Sequence, residues 1–129
     1  AMKLKELFLQ HQGLLLACPE YNSSVTPLWK NTIDWVSRAD KTHASLAAYK
    51  DKTAVIMSAS PGALGGLRGL VHVRSILGNI GVLVLPEQVS VGSAGSAFDS
   101  SGNLTDSKQQ AKVRDLGELL AGVLAKLHA

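Results

Sequence analysis

Ala54-Val55-Ile56-Met57-Ser58-Ala59-Ser60-Pro61-Gly62-Ala63-Leu64-Gly65-Gly66-Leu67 decides the fold of this chain. Its four leading apolar residues leave nothing polar to turn outward, the pattern of a strand buried on both faces. The run Ser58 to Gly66 breaks that strand with glycine and proline. A helical spacing then begins at Leu67 and runs to about Asn79. Leu70, Val73 and Leu77 fall inward, and Arg68, His72, Ser75 and Asn79 share a polar stripe.

The same order repeats outward from this unit. Upstream, Leu14–Ala17 is a second apolar strand, followed by the polar loop Cys18–Ser24. Thr26 is a good N-cap with Pro27 at the first helical position, which predicts a helix to about Arg38 burying Leu28, Trp29, Ile33, Trp35 and Val36. Ala39–Lys52 reads as a polar surface connection with one helical turn over Leu46–Tyr49. Downstream, Val82–Leu85 is a third apolar strand. Pro86–Leu104 is an irregular excursion rich in Ser and Gly, and Thr105 caps a last helix, Asp106 to about His128, with Leu116, Leu119, Leu120, Val123 and Leu127 inward. Met2–His11 is an amphipathic helix that Gly13 stops.

Helix and strand alternate throughout, which predicts a parallel sheet with helices on both faces. Right-handed crossovers through one helix each make 14–17, 54–58 and 82–85 adjacent parallel strands in that spatial order. Three strands fall short of the roughly four to six of an ordinary sheet. The chain also begins on a helix with no strand before it. The expectation is a missing N-terminal piece; the alternative is a complete segment that pairs with another chain.

Composition narrows the class. Over 129 residues, 46% hydrophobic and 18% charged content is that of one globular domain. No apolar run approaches the roughly 18 residues of a membrane span. A single cysteine, Cys18, excludes an internal disulfide and favours a reducing, cytoplasmic compartment. A net charge of +3 with scattered basic residues argues against nucleic acid and suits an anionic small ligand. His11, His43, His72 and His128 lie on separate segments without a cysteine partner, so no metal site is expected.

Ligands of open α/β sheets bind beyond the carboxyl ends of the strands. Cys18–Ser24 and Ser58–Gly66 occupy that position. The first carries hydrogen-bonding side chains and an aromatic, the second glycines that let a ligand approach the backbone. Each alone is also an ordinary β-to-α turn. The second loop ends in neither Gly-Lys-Ser nor Gly-Lys-Thr and does not match G-x-G-x-x-G.

Pro19-Glu20-Tyr21-Asn22-Ser23-Ser24, with Leu28-x-Lys30-Asn31-x-Ile33-Asp34-Trp35 after it, resembles the signature of the NADPH-dependent FMN reductase family, whose members include chromate and quinone reductases. Ser58 to Gly66, then Arg68 and His72-x-Arg74-x-Ile76-Leu77, continues the resemblance, and Pro86-Glu87 and Ala97-Phe98-Asp99 extend it over nearly the whole chain. It implies a flavodoxin-like three-layer α/β/α sandwich, of which residues 1–129 are the C-terminal portion. It also implies FMN as cofactor, NADPH as co-substrate and a small electron acceptor, in a homodimer or homotetramer.

By position in the family, Pro19, Glu20, Tyr21, Asn22 and Ser23 line the flavin ring, partly through backbone groups. Ser58, Ser60, Gly62 and Gly65 close its other side. Arg68, just after the glycine loop, is a candidate for the flavin edge, a nicotinamide phosphate, a partner subunit or a structural ion pair. The family's Gly-Ser-x-Arg-x-x-Ser phosphate loop is absent from the sequence, as are its first two strands and first helix, and Cys18 stands where Thr or Ser is common. From this follows the expectation that the chain by itself is free of FMN and inactive. No catalytic side chain is expected, because the cofactor carries the chemistry. A flavin-binding electron carrier or redox-sensing module, and a non-catalytic interaction domain, remain the competing readings.

Overall fold

The computed structural model describes residues 2–129. Its elements run α1 (Met2–Gln10), β1 (Gly13–Ala17), β2 (Glu20–Tyr21), β3 (Ser24–Val25), α2 (Pro27–Val36), β4 (Thr53–Ala59), α3 (Leu67–Asn79), β5 (Leu83–Val91), α4 (Ala94–Ala97) and α5 (Ser107–Leu127). The central sheet has the order β1-β4-β5 and is parallel throughout, as the alternation of elements requires. Leu14 pairs with Ala54 and Ala54 with Val84.

β4 is the middle strand, and its residues Ala54, Val55 and Ile56 are wholly buried. The alternation of strand side chains splits the core into two layers. Ala54 and Ile56 point into a cluster with Ile33, Val36, Leu70, Val73 and Leu77, packed under α2 and α3, with Phe8 and Leu9 of α1 against it. Val55 points the other way, to Leu85, Val89, Leu116 and Leu120 under α5.

Several elements depart from the sequence reading. The third strand continues through Pro86 to Val91, the first third of a stretch expected to be irregular. An advance of two residues in β4, Ala54 to Ile56, is matched by four in β5, Val84 to Gln88, so a bulge absorbs the proline. In α2, Leu28 and Trp35 point outward, Trp35 at 63% exposure. At 3.6 residues per turn Trp35 lies roughly 200° around the helix from Ile33, so burying Ile33 and Val36 excludes it. Trp29 does pack on the core. Leu127 of α5 is likewise exposed, in the last turn.

Asp106, not Thr105, caps α5. Its carboxylate accepts from the N–H groups of Lys108 and Gln109 at 2.7 and 3.0 Å, whereas Thr105 is bonded to the Ala97 carbonyl. The anion also suits the positive end of the helix. The connection before β4 is less superficial than its polarity suggests, since Ala48 and Tyr49 are fully buried.

Helix α1 is held by buried charge as well as by apolar packing. Lys5 is 3% exposed, donates to the Arg38 carbonyl and pairs with Asp40 Oδ2 at 2.7 Å. Lys52, also buried, donates to the His11 carbonyl just past the end of α1. Met2, Leu4 and Leu7 remain exposed.

Candidate functional site

The two loops singled out by sequence meet at the carboxyl end of the sheet. Cys18–Val25 is more ordered than a loop. Glu20 pairs with Val25 and Tyr21 with Ser24 as a small antiparallel hairpin. Asn22 and Ser23, at φ 50° and 63°, form its two-residue turn. Positive φ at both central residues is the type I′ turn, whose hand matches the strand twist. Asn is among the residues that tolerate it. The hairpin thrusts Tyr21 into solvent at 64% exposure.

Three bonds latch the hairpin to α3. Glu20 Oε2 accepts from Gly69 N at 2.7 Å, Arg68 donates to Ser23 Oγ at 3.2 Å, and Ser24 Oγ lies 2.8 Å from His72 Nδ1. The first repairs a defect in the helix. Gly66 stands at the N-cap position and offers no side-chain acceptor, so an N–H of the first turn would be orphaned. Glu20 supplies the missing cap from 49 residues away. One oxygen of its carboxylate is thereby engaged by the scaffold. Arg68, too, is engaged in joining the two loops.

The second loop is closed on itself and on β5. Ser58 Oγ donates to the Gly65 carbonyl at 2.6 Å and is buried, so this serine shapes the loop. Ser60 N–H donates to the Val91 carbonyl at 3.0 Å, and Ser93 and Ala94 return N–H bonds to the carbonyls of Gly62 and Ser60. Gly65 is forced by packing: a Cβ there would stand 2.6 Å from the Val91 carbonyl carbon. At Gly62 a Cβ would meet only Ser60 Oγ, at 3.9 Å, so Gly62 leaves open space above the loop. The strand end Val91–Ala94 is therefore a third wall that the sequence reading left inside an irregular excursion. The signal was present in Gly92, whose Cβ would come 2.5 Å from the Ala63 carbonyl oxygen.

Beside this mouth, on the α5 side, lies an apolar hollow of about 330 Å³ bounded by Ala17, Cys18, Pro19, Met57, Phe98 and Val113. Burial pushes the Cys18 thiol up to about 11, so it is neutral at physiological pH and no nucleophile. Among the described residues no three His, Cys, Asp or Glu side chains gather to hold a metal, and no helix is long and apolar enough to cross a membrane. The site thus presents backbone, hydroxyls, an exposed phenol and an apolar wall. It can hold and orient a flat ligand.

The sequence profile of the NADPH-dependent FMN reductase family matches residues 1–96. The chain is 36% identical over 107 residues to an NAD(P)H-dependent FMN reductase of Pseudomonas aeruginosa, covering 82% of this chain and 55% of that protein. It is 34% identical over 106 residues to a quinone reductase of Pseudomonas putida, covering 81% and 54%. Among solved structures, the flavoenzyme NAD(P)H:(acceptor) oxidoreductase FerB of Paracoccus denitrificans superposes with a TM-score of 0.70 at 25% identity, over 91% of this chain and 67% of the other. The chain spans about half the length of the curated relatives it matches.

Proposed function

The chain belongs to the NADPH-dependent FMN reductase family, with a flavodoxin-like fold, and on that premise we propose that it forms the ring-binding half of a flavin-dependent NAD(P)H oxidoreductase. The observation that carries this reading is the latched pair of loops at the carboxyl end of the sheet, with Tyr21 projecting and Gly62 leaving the backbone open. FMN fits this donor set. The hairpin Pro19-Glu20-Tyr21-Asn22-Ser23 flanks one side of the ring, and the Ser58–Gly65 loop, with Ser60 and Gly62 outermost, the other. Bound there, FMN would supply the hydride chemistry between NAD(P)H and a small acceptor such as a quinone. The protein's share is to hold the ring, keep the latches of Glu20 and Arg68 closed, and offer no competing nucleophile.

In this reading residues 1–129 are the C-terminal portion of one flavodoxin-like domain. Support comes from the edge of β1. Gln12 O and Cys18 N bond to β4, so the alternate residues Leu15 and Ala17 turn their backbone groups to the open side. Leu15 is half exposed there, and Leu4 and Leu7 of α1 flank the same groove. A homodimer or homotetramer in the cytoplasm belongs to the same proposal.

FMN titrated into this chain, and into a form extended at the N-terminus to the length of its relatives, tests the reading by flavin fluorescence. The extended form should bind tightly and oxidise NADPH with a quinone present. A phosphate dianion is held by several charge-assisted hydrogen bonds of roughly 1.5–3 kcal/mol each, so the short chain should bind orders of magnitude more weakly. An extended form that binds no flavin would refute the proposal. One that binds FMN without turning over NADPH would be a carrier.

A further inference from the structure

Among the described residues Arg74 has no carboxylate partner; it spends its guanidinium on backbone carbonyls and one side-chain amide oxygen. Nη1 donates to the carbonyls of Val84 and Leu85 at 3.3 and 2.7 Å, and Nη2 donates to the Pro86 carbonyl at 3.2 Å and to Gln88 Oε1 at 2.9 Å. These four acceptors span the bulge at which β5 gains two residues on β4. A planar fork with five N–H groups suits this task, and an ammonium does not.

The bulge fixes which residues of β5 reach the candidate site. Beyond it, pairing resumes with Ile56 against Gln88 and ends with Ala59 against Val91. That register puts the Val91 carbonyl over Ser60 N–H, the Val91–Gly92 peptide against Gly65, and Ser93 and Ala94 over the carbonyls of Gly62 and Ser60. A slip by one residue would exchange the two faces of the strand and break all of these contacts.

We propose that Arg74 is a positioning residue for the site: by clamping the β5 bulge it sets the shape of the Ser58–Gly66 loop, which it does not itself touch. The inference rests on the reading that this loop takes the flavin ring. Bulges next to binding sites commonly aim a strand end in this way.

Amide hydrogen exchange in this chain tests it without any ligand. Arg74→Gln should speed exchange of the Ser60, Ser93 and Ala94 N–H groups by about tenfold or more, while Cys18 and Thr53, bonded across β1 and β4, keep their rates. Arg74→Lys should recover only part of the protection, and Gln88→Ala, which removes one arm of the clamp, should show the same pattern more weakly. Unchanged rates at Ser60 and Ala94 would overturn the proposal. So would equal acceleration at Cys18 and Thr53, the mark of a general loss of stability. Should Arg74→Gln not fold, the Gln88→Ala pattern decides by the same criteria. FMN titrated into wild type and Arg74→Gln in the extended form tests the underlying reading separately. Flavin binding weakened about tenfold by the variant supports the positioning role, and equal binding overturns it. A wild type that binds no FMN, with the exchange pattern present, refutes the flavin assignment and leaves the clamp standing.

Discussion

Glu20 reads from the sequence as lining a ligand, partly through backbone groups; in the fold its side chain also finishes a helix. The sequence shows a carboxylate beside Tyr21 and Asn22 in a polar loop. It does not show that Gly66 leaves the start of α3 without a cap, a need visible only once the two loops are adjacent. Removing the carboxylate should therefore cost stability before it costs binding. Glu20→Ala is expected to lower the urea midpoint by the equivalent of about 1–2 kcal/mol, the range of a lost N-cap. Glu20→Gln, which keeps an acceptor, should lose less. Cys18 offers a second test. Desolvation holds its thiol at about 11 in the fold, so in native protein its alkylation rate should be low at pH 7 and climb with pH through 10. In denaturant, with an ordinary thiol restored, reaction at pH 8 should be fast. Because the folded value lies above the unfolded one, the native state holds this proton longer, and Cys18 lowers stability as pH rises beyond the unfolded thiol range.

Elements were legible where one force dominated. β1, β4 and β5 follow from apolar runs that only a doubly covered strand can accommodate, and their order follows from handed crossovers. The second half of β5 was not legible, because Pro86 and Glu87 belong locally to a loop and are tolerated only through a bulge that Arg74 stabilises from another element. Helix α1 was legible as a helix, but its anchorage was not. A lysine on an amphipathic helix reads as solvated, whereas Lys5 is buried against Asp40 and the Arg38 carbonyl. Bonds from Lys5, Thr42 and the His43 amide hold the Asp40 carboxyl well below its ordinary range. The sign of its pH effect follows. A depressed folded value contributes stability above the unfolded value, and that contribution is lost as pH falls through the folded one. Asp40→Asn should thus destabilise the protein at pH 6–8, strand Lys5 without a counter-charge and expose α1 to proteolysis. The gap between wild type and variant, read from urea midpoints, should narrow below about pH 4.

At the scale of the molecule the two edges of the sheet are treated differently. β5, the strand at one edge, carries a proline and a bulge, and three of its carbonyls are bound by Arg74, devices that blunt an edge strand against pairing. The open edge of β1 has none of these. Gly13–Ala17 is short, flat in register with β4 and apolar on both faces, with Leu15 half exposed and the apolar side chains of α1 beside it. Such an edge offers N–H and C=O groups next to apolar surface, a template for pairing with another chain. The 129-residue chain should therefore self-associate, with a mass in sedimentation that rises over the micromolar range. Leu15→Lys places a charge on that edge without touching the side chains of Leu14 or Leu16, which face the α2–α3 layer. It should shift the chain towards monomer while leaving its circular dichroism unchanged. An extended form with that edge covered should show no concentration dependence through it, and there Leu15→Lys should instead destabilise the fold. A wild-type chain that stays monomeric at 100 micromolar would show that the β1 edge does not act as a pairing surface.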